Sequence, residues 1–477
     1  MDNNIDNLTI SDDEKKKRKI YVRENCLIGV EREPEMFALA YANMRFHGDG
    51  KSNLYACSSL LKDKSLINAD PKTTLHDEIT TKLKRPTVGM INPPYSLLNT
   101  KNKSEKGKNK QSGQSELDFV YSMLEYLQPG GIGIAIVPMS CSSSKDDKKM
   151  REAILEHHTL LATMTMPKKL FQESKVGTQT CIMVFKAHFK HKDSNKIVFL
   201  SRWLDDGFIT IPHVGRFDRD NQWKSTKGEW IRQLNGLAKK DNTTYLLKEI
   251  GKNEEWIAEA YVETDYSKLS IIDFEKQVKR YAYFRYTQDN DEIDDILESI
   301  LDFYENGSSK YKGKVIDEIC KIDFKNWNYF SIKDIFPEMT RGQRQKASDR
   351  ISGDIPYYSA SKNNNGLTDY IDNPTFIEHD ALIYTTFGDS YYVVGNFTAS
   401  DEITILNNKK LNKYNGQFLS TIIKQEQFRY SFGRKAFKNK ISEATLYLPS
   451  IIEEGKIVPD WDYMEKFIKC IDYSKSI

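Results

Sequence analysis

The sequence predicts an α/β protein, and three observations carry this prediction. The chain has 477 residues, enough for about three domains of ordinary size. Hydrophobic residues make up 39% of the chain and charged residues 29%, a balance that supplies buried cores and a polar surface. Between residues 26 and 189, uninterrupted apolar runs of strand length alternate with amphipathic segments. This alternation is typical of a parallel sheet covered by helices.

Composition also excludes several classes of protein. No run approaches the roughly 18 apolar residues of a membrane span, and the polar N-terminus lacks the apolar core of a secretory signal, so we expect a cytoplasmic protein. Six cysteines occur without a CxxC pair, which favours reduced thiols over disulfides or a zinc site. The 70 basic and 68 acidic residues nearly cancel, so affinity for nucleic acid has to come from local patches.

The elements of the first region follow from apolar patterns and stop signals. Residues 1–20 are polar and highly charged, and we expect a solvated tail there instead of folded structure. Apolar runs predict strands at residues 26–30, 53–57, 87–91, 132–137 and 178–185. Helical patterns predict helices at residues 33–46, 117–127 and 145–157, the second of which ends before Gly130-Gly131.

The rest of the chain differs in texture. Residues 190–322 are more acidic, with predicted helices at residues 271–282 and 289–305 and a linker at residues 306–309. From Trp327 onward, Gly- and Asn-rich turns separate short β-like runs at residues 381–386, 391–395 and 402–406. This second β-rich region predicts a separate domain.

The motif that carries chemistry is Asn92-Pro93-Pro94-Tyr95, directly after the predicted strand at residues 87–91. Open α/β sheets bind ligands beyond the carboxyl ends of their strands. An NH2 group with a delocalised lone pair is a poor nucleophile. An Asn side-chain carbonyl and a proline-fixed backbone carbonyl can each accept one of its N–H bonds and aim its lone pair at an electrophile. The Tyr ring offers a stacking face for a flipped base. The alternative interpretation is a proline-rich turn.

A carboxylate and a glycine-rich segment flank this motif. Glu31 ends the strand at residues 26–30, a position from which an acid can bind ribose hydroxyls. The alternative is a surface Glu that caps the next helix. The Gly-Gly-x-Gly sequence at residues 130–133 precedes a strand instead of following one, so we interpret it as a turn and not as a phosphate loop.

Several motifs in residues 26–189 occur in an order that chance does not easily produce. They are Ile28-Gly29-Val30-Glu31, Ala42-Asn43-Met44-Arg45-Phe46-His47-Gly48, Asn92-Pro93-Pro94-Tyr95, Pro138-Met139-Ser140, Leu170-Phe171 and Val176-Gly177-Thr178-Gln179-Thr180-Cys181. This region resembles the N6-adenine DNA methyltransferases, in particular the modification subunits of type I restriction-modification systems and their type II relatives.

The resemblance implies a Rossmann-like SAM-dependent methyltransferase sheet, with S-adenosylmethionine as the cofactor and adenine N6 as the methylated atom. It also implies roles for individual residues. These are Asn92, Pro93, Pro94 and Tyr95 around the flipped adenine, Phe171 against the target base, Glu31 on the cofactor ribose, and Ser58 where the family often has an acidic residue that contacts the cofactor adenine.

The cofactor motif with which the family begins is missing. It is a strand followed by a Gly-rich turn and belongs before Cys26, but residues 1–25 contain no glycine. In the family's fold this strand lies in the middle of the sheet, so its absence leaves two strand edges unpaired and the methionine part of the cofactor pocket unbuilt. Either Ile20-Tyr21-Val22 substitutes for the strand, or another polypeptide supplies it, or the chain is a fragment of a longer gene.

A second set of motifs covers about residues 325–455. They are residues 330–336, Gly353-Asp354-Ile355-Pro356-Tyr357-Tyr358, residues 363–366, residues 382–388, Gly395-Asn396-Phe397, Phe432-Gly433-Arg434-Lys435 and Leu446-Tyr447-Leu448-Pro449. This region resembles the target-recognition domains of type I specificity subunits, which implies readout of bases and phosphates in double-stranded DNA. The candidate DNA-binding residues are Arg341, Arg344, Lys346, Lys362, Asn364, Arg434, Lys435 and Lys438. For each of them, a solvated surface side chain is the alternative.

A further basic segment follows the Asn-Pro-Pro-Tyr motif. Residues 97–115 contain five lysines and one glutamate, so this segment either touches the DNA backbone or is a disordered insertion. The chain has no convincing nuclease constellation and no Walker A loop, and its eight histidines show no metal-binding spacing. We therefore expect no metal, and cleavage, if any, belongs to a restriction (nuclease) subunit as partner.

These observations predict four regions. They are a charged tail (1–25), a methyltransferase catalytic segment (26–190), a helical connector (191–322) and a mixed α/β DNA target-recognition domain (323–477). The leading hypothesis is a site-specific adenine-N6 DNA methyltransferase with its own recognition domain. The alternatives are a non-catalytic recognition or scaffold subunit that is completed in trans, and a protein-glutamine or RNA methyltransferase.

Overall fold

The structure is a computed structural model that describes most of the chain. It describes residues 2–48, 53–67, 70–95, 115–168, 170–171, 178–193, 196–211, 215–238, 241–289, 322–471, 473–474 and 477. The chain divides into two compact units, Met1–Val262 and Glu263–Ile477. No helix among the described residues is long and apolar enough to span a bilayer.

The first unit contains twelve strands and seven α-helices among its described residues. The strands are β1 (Ile28–Val30), β2 (Asn53–Tyr55), β3 (Leu66–Ile67), β4 (Asp70–Thr74), β5 (Val88–Ile91), β6 (Ile132–Pro138), β7 (Thr159–Thr165), β8 (Thr180–Lys186), β9 (Ile197–Arg202), β10 (Ile209–Ile211), β11 (Gly215–Phe217) and β12 (Tyr245–Glu249). The helices are α1 (Asp2–Asp6), α2 (Asp12–Asn25), α3 (Pro34–Phe46), α4 (Leu75–Asp77), α5 (Glu116–Tyr126), α6 (Lys148–His157) and α7 (Trp223–Leu234).

The main sheet of the first unit has six strands in the order β12-β9-β7-β8-β6-β5. The β5–β6 and β7–β9 pairs are parallel, whereas β8 runs antiparallel to both β6 and β7. The expectation of a parallel sheet is therefore only partly right. The reason is that no helix among the described residues connects β7 to β8, so the chain returns in the opposite direction.

Helix α5 covers one face of this sheet. Its residues Leu117, Val120 and Leu124 are fully buried, and a capping box formed by Ser115 and Asp118 begins it. Two glycines of the strands, Gly89 and Gly133, allow the helix to lie close to the sheet. A Cβ atom at either position would lie 2.9 Å or less from Met123 or Leu124. The predicted helix at residues 117–127 and the strands on either side of it are thus confirmed.

Strands β1 and β2 form a separate two-stranded parallel sheet. The sheet is thus divided where the sequence lacks a strand, as the resemblance implied. Residues 20–22 do not fill the gap, because they lie inside α2, so the first of the three alternatives, a substitute strand there, was wrong. The same helix occupies much of the expected tail, although it contains no buried residue.

The region expected to be a helical connector is only partly helical. Its first part contributes β9 and β12 to the main sheet, together with the β10–β11 hairpin and α7. Its last described helix, α8 (Ile271–Asp289), belongs to the second unit. The expected helix at residues 289–305 and the linker at 306–309 lie outside the described residues, apart from Asp289 at the end of α8.

The second unit contains a six-stranded sheet in the order β14-β19-β17-β18-β15-β16 and a three-stranded sheet in the order β13-β20-β21. Its strands are β13 (Trp327–Ser331), β14 (Glu338–Arg341), β15 (Ser352–Tyr358), β16 (Leu367–Ile371), β17 (Glu378–Thr385), β18 (Ser390–Ala399), β19 (Ile403–Asn407), β20 (Thr445–Glu453) and β21 (Lys456–Pro459). Its further helices are α9 (Ile332–Ile335), α10 (Lys413–Gln425), α11 (Lys438–Glu443) and α12 (Trp461–Lys469).

Helix α10 lies at the centre of the second unit's core. Its residue Phe418 is fully buried, and its ring centroid lies 4.7 Å from that of Phe274 on α8 and 5.5 Å from that of Phe467 on α12. The β-like runs predicted near residues 381–386, 391–395 and 402–406 are confirmed as β17, β18 and β19. The predicted mixed α/β character of this domain is confirmed as well.

Candidate active site

The Asn-Pro-Pro-Tyr motif lies where β5 ends. Because β5 and β6 are parallel neighbours, their carboxyl ends meet at one edge of the sheet, the edge at which ligands bind. Asn92 is exposed, Pro93 is buried and Tyr95 is half-buried. The Tyr95 hydroxyl donates a hydrogen bond to Asn92 Oδ1 at 2.7 Å and lies 3.4 Å from the Ile136 carbonyl oxygen of β6. The motif therefore places an amide oxygen and an aromatic ring together at the open edge.

Burial keeps the Tyr95 hydroxyl protonated. Burial, with smaller effects of Cys181, Cys141 and Glu116, raises the pKa of Tyr95 to about 12. A neutral phenol donates its proton to a carbonyl, and Asn92 Oδ1 can accept a second hydrogen bond through its other lone pair. The hydroxyl thus orients the Asn92 amide and still leaves it able to accept from an incoming amino group.

Phe171 lies beside this tyrosine. The two ring centroids are 6.2 Å apart and the rings meet at 80°, an edge-to-face contact. Leu170 packs with Met166 and Trp203 in the neighbouring apolar cluster, which fixes the segment that carries Phe171. The structure thus brings together Asn92, Tyr95 and Phe171, the residues to which the sequence assigns the target base.

The floor of the site contains polar groups that the sequence did not reveal. Glu116, at the start of α5, is 9% exposed, and its Oε2 lies 3.9 Å from Cys141 Sγ. Burial raises the pKa of the Cys141 thiol, so it is neutral and can donate weakly to this carboxylate. Arg151 donates to the Cys141 carbonyl oxygen at 2.9 Å. The capping box formed by Ser115 and Asp118 is the signal in the sequence from which this helix start could have been predicted.

The two residues predicted to bind the cofactor follow β1 and β2. Glu31 Oε1 accepts the backbone N–H of Glu33 at 2.9 Å, so one oxygen stabilises the turn that leads into α3, in partial agreement with the capping alternative. Ser58 donates to Asp63 Oδ2 at 2.5 Å. The sequence did not reveal that Asp63 supplies a carboxylate beside Ser58. Carboxylates at these strand ends are chemically suited to the hydroxyl and amino groups of a nucleoside.

One described group of side chains has the composition of a metal site, namely Glu125, His158 and His188. Its contacts favour a different interpretation. His158 Nδ1 accepts the backbone N–H of His188 at 3.1 Å, so the proton of the neutral ring is on Nε2, which lies 3.2 Å from Glu125 Oε1. A metal ion at Nε2 would require that proton on Nδ1, where it would oppose the His188 N–H. We therefore assign this group to the packing of the sheet.

The predicted DNA-binding residues fall into three groups in the second unit. Arg344, Lys346, Lys362 and Asn364 are exposed. Three others have partners, since Arg341 Nη2 lies 3.6 Å from Asp401, Lys435 lies 2.8 Å from Glu402, and Lys438 donates to the Met339 carbonyl oxygen at 2.6 Å. Arg434 is 8% exposed and donates to the Arg429 carbonyl oxygen at 2.9 Å. Its burial favours a packing role for Arg434 over a contact with a phosphate.

The basic segment proposed after the motif, residues 97–115, lies outside the described residues except for Ser115. Residues 172–177, which include the start of the motif at residues 176–181, lie outside them too.

Comparison with known proteins finds a family match in each of two regions of the chain. Residues 4–205 match the family N-6 DNA Methylase, and residues 324–477 match the type I restriction modification DNA specificity domain. The chain thus contains a region that matches the N-6 DNA methylase family, followed by a region that matches the type I DNA specificity domain. Residues 206–323 lie between the two matches. They contain strands β10, β11 and β12 of the first unit and helix α8 of the second.

Two curated proteins of Heyndrickxia coagulans resemble this chain. It is 32% identical over 280 residues to the type II restriction enzyme and methyltransferase RM.BcgI, a match that covers 58% of the chain and 39% of the relative. It is 23% identical over 188 residues to the specificity subunit S.BcgI, which covers 38% of the chain and 53% of the relative. The chain thus spans about half or less of the length of these relatives.

Solved structures of M and S subunits of type I restriction systems are similar to parts of this chain. The type I restriction enzyme EcoKI M protein matches with a TM-score of 0.33 and 18% identity, covering 50% of the chain and 46% of that protein. The S subunit of a type I system from M. genitalium matches with a TM-score of 0.26 and 15% identity, covering 43% of the chain and 48% of that protein.

Proposed function

We propose that this chain is a DNA methyltransferase polypeptide that transfers a methyl group from S-adenosylmethionine to N6 of an adenine flipped out of double-stranded DNA. The observation that carries the proposal is the group at the end of β5, where Asn92 Oδ1 is oriented by the Tyr95 hydroxyl and Phe171 flanks the tyrosine ring. The site lies in the region that matches a methylase family. In such a protein, an oriented amide oxygen beside the rings of Tyr95 and Phe171 is suited to bind the amino group of a flipped base.

In this mechanism the chain's residues position and polarise the amino group. Asn92 Oδ1 accepts one N–H, and the backbone carbonyl held by Pro93 accepts the other, which draws the nitrogen toward sp³ geometry and directs its lone pair outward. The bound cofactor supplies an electrophilic methyl group on its sulfonium. Tyr95 and Phe171 hold the base by ring contacts. The amine loses its proton after transfer, so no general base is required.

Glu31 and Ser58 with its neighbour Asp63 are the residues that would hold the nucleoside part of the cofactor. The second unit would select the DNA site, with Arg344, Lys346, Lys362 and Asn364 as its exposed contacts. As partners we propose double-stranded DNA, a restriction (nuclease) subunit, and a polypeptide that completes the methylase sheet. This role requires access to double-stranded DNA, so we propose that the chain acts in the cytoplasm.

The test is transfer of tritiated methyl groups from S-adenosylmethionine to unmethylated plasmid DNA. The chain is assayed alone and with the candidate completing polypeptide. We expect Asn92→Ala to abolish transfer in whichever condition supports it, whereas Asn235→Ala, at an exposed asparagine just after α7, leaves the rate unchanged. Equal activity of the two variants would contradict the assignment of Asn92.

A second candidate function is favoured by the divided sheet. A chain whose methylase half cannot close its cofactor pocket acts as a DNA-recognition subunit. Sequence-specific DNA binding without cofactor binding, and without methyl transfer in either condition, would support this candidate and would exclude the catalytic proposal for this polypeptide.

A further inference from the structure

Phe432 is an exposed apolar side chain of the second unit. Its side chain is 75% exposed, although residues close to it in the chain are buried, since Tyr430 is 6% exposed and Ala436 is 1% exposed. Single exposed apolar side chains are common on protein surfaces. The backbone around Phe432 and the charges beside it distinguish this residue from such isolated cases.

The backbone holds Phe432 at the tip of a tight turn. The N–H of Arg434 donates to the Ser431 carbonyl oxygen at 3.0 Å, and the N–H of Ser431 donates to the Arg434 carbonyl oxygen at 3.1 Å. Phe432 and Gly433 are therefore the two residues of a closed turn. A short, closed turn restricts the backbone, so the ring of Phe432 needs little further ordering when it binds a partner.

Both arms of this turn are anchored in the second unit. The buried guanidinium of Arg434 donates to the Arg429 carbonyl oxygen at 2.9 Å and lies 5.4 Å from the centre of the Tyr430 ring. After the turn, the N–H of Ala436 donates to the Thr386 carbonyl oxygen at 2.8 Å, directly after β17. The packing of Arg434 thus stabilises the base of the turn.

The segment that carries the turn is basic. Residues 431–442 contain one arginine and three lysines and no aspartate or glutamate. Lys435 Nζ lies 5.3 Å from the centre of the Phe432 ring. The acidic residues Asp401 and Glu402 contact cations of this surface. They reduce its positive charge but do not cancel it, so the surroundings of the ring suit a polyanion.

A second exposed aromatic ring lies on the same segment. Phe437 is 42% exposed, and the guanidinium of Arg341 lies 5.2 Å from the centre of its ring. Lys438 donates to the Met339 carbonyl oxygen at 2.6 Å, which joins the segment to β14. Three residues predicted to bind DNA, Arg341, Lys435 and Lys438, therefore lie beside two exposed phenylalanines. Cationic and aromatic side chains combined in this way suit a surface that contacts both the phosphates and the bases of nucleic acid.

We propose that Phe432 is a wedge that inserts its ring between two adjacent bases of double-stranded DNA when the second unit binds its site. Some DNA-binding proteins insert an apolar side chain between neighbouring bases, which partly unstacks them and kinks the duplex. The exposed ring, the closed turn beneath it and the basic segment around it meet the requirements of such a wedge. Lys435 and Arg341 contact the phosphates that flank the opened base step.

The wedge gives the second unit an additional way to select a DNA site. Exposed polar side chains such as Arg344 and Asn364 contact bases or phosphates directly. An inserted ring instead favours the steps that unstack most easily, which are the pyrimidine–purine steps. This inference rests on the proposed binding of DNA by the second unit, but it does not require methyl transfer by the first. A contact with another protein is the competing role for Phe432.

The first measurement is the affinity of the full chain for duplex fragments of the unmethylated plasmid at several salt concentrations. We expect Phe432→Ala to weaken binding about tenfold, the effect of losing one aromatic stacking contact. The slope of log affinity against log salt should stay the same, because no charge is removed. Phe432→Leu should retain most of the affinity, since leucine also serves as a wedge.

Phe189→Ala is the matched control for this measurement. Phe189 is 47% exposed in the first unit, and Lys186 Nζ lies 4.2 Å from the centre of its ring. We expect this variant to bind DNA with wild-type affinity. Circular dichroism of each variant shows that it is folded.

The second measurement is the unwinding of DNA, which insertion of a ring between bases produces. Relaxed plasmid is treated with a topoisomerase while the chain is bound, and the linking number is measured after the protein is removed. Protein concentrations are chosen so that every variant occupies the DNA equally. We expect the wild-type chain and Phe189→Ala to lower the linking number more than Phe432→Ala does.

The outcomes separate this inference from the proposed function. Wild-type affinity of Phe432→Ala, a changed salt slope, or equal unwinding at equal occupancy would overturn the inference, as would loss of self-association in this variant with DNA binding intact. Unwinding that depends on Phe432 without any methyl transfer would support the inference and count against the proposed function. Methyl transfer that depends on Asn92, with affinity and unwinding independent of Phe432, would do the reverse. Failure of the folded chain to bind duplex DNA would overturn both.

Discussion

At the scale of single residues, the contact between Tyr95 and Asn92 is the most informative feature of the site. The sequence predicted both residues from a four-residue motif after a strand, and it predicted Phe171 from a resemblance alone. It could not reveal Asp63, Glu116 or Cys141, because their positions depend on how α5 and the turn after β2 pack. Arg434 shows the opposite case, since the sequence suggests a DNA contact whereas its burial favours a role in packing.

Removal of the Tyr95 hydroxyl tests whether it orients Asn92. We expect Tyr95→Phe to lower the methyl-transfer rate about 3- to 10-fold, the effect of losing one ordinary hydrogen bond, and Tyr95→Ala to lower it much further because the ring is lost. Tyr21→Phe, at an exposed tyrosine of α2, is the control. Wild-type activity of Tyr95→Phe would show that the hydroxyl has no positioning role.

The pH dependence of transfer is a second test of the same residue. Because burial raises the pKa of Tyr95 to about 12, the hydroxyl remains a donor at every lower pH. We therefore expect that ionisation of Tyr95 causes no fall in the methyl-transfer rate between pH 7 and about pH 10. The pH profiles of the wild type and of Tyr95→Phe should have the same shape in this range. A fall in this range that is absent in the variant would contradict the protonated state assigned to Tyr95.

Two arginines of the second unit provide a matched pair. Arg344 is exposed and Arg434 is buried. We expect Arg344→Ala to weaken DNA binding and to reduce the slope of log affinity against log salt by about 1. Arg434→Ala should instead lower the free energy of unfolding by about 1–3 kcal/mol, because a buried carbonyl loses its donor. Reversed behaviour of the two variants would contradict their assignments.

At the scale of elements, the strands and helices with strong local patterns were predictable and their pairing was not. Strands β5 and β6 and helices α3 and α5 combine apolar runs with clear stop signals. Strands β7, β9 and β12 were not predicted, because they lie among polar segments and form by pairing with distant residues. Helix α2 was missed since its charged sequence has no apolar stripe, and its stability comes from local propensity and from the Ser11 N-cap.

The contact between α5 and β7 predicts a dependence of stability on pH. Burial lowers the pKa of His158 below its ordinary value of 6.5, against an opposing effect of Glu125. Glu125, His188 and His157 are the titratable groups that influence it. Since the depressed pKa belongs to the folded state, the stabilisation is complete above about 6.5 and is lost as the pH falls through the folded value.

We therefore expect the Tm of the chain to fall between pH 7.5 and pH 5.5, measured by calorimetry. His158→Gln should reduce this pH dependence, whereas His157→Gln, at an exposed neighbour, should retain it. The same experiment with added Zn²⁺ tests the assignment of this group, because we expect no rise in Tm. A rise that depends on His158 would establish a metal site.

At the scale of the whole molecule, the chain consists of two units whose boundary the sequence did not predict. The change in composition and predicted elements along the sequence placed the last boundary near residue 323, but α8 belongs to the second unit. Its residues Phe274, Val278 and Tyr281 are buried in the second core. The acidic composition around this helix obscured its apolar face, which packs in a core formed largely by residues between Trp327 and Ile477.

A comparison of two fragments tests this boundary. We expect residues 263–477 to fold and residues 324–477 to be unstable, because loss of three large buried side chains removes about 5 kcal/mol or more, comparable to the stability of a domain. Circular dichroism and urea unfolding of the two fragments measure the difference. Equal stability of both fragments would show that α8 is dispensable.

We propose that the group at the end of β5 methylates adenine in DNA. Plasmid DNA is incubated with S-adenosylmethionine, the chain and the candidate completing polypeptide, and its nucleosides are then measured by mass spectrometry. We expect N6-methyldeoxyadenosine with the wild-type chain and none with Asn92→Ala. Methyl transfer to RNA or to protein glutamine but not to this DNA, or no methylated nucleoside although the completing polypeptide and DNA are both bound, would overturn the proposal.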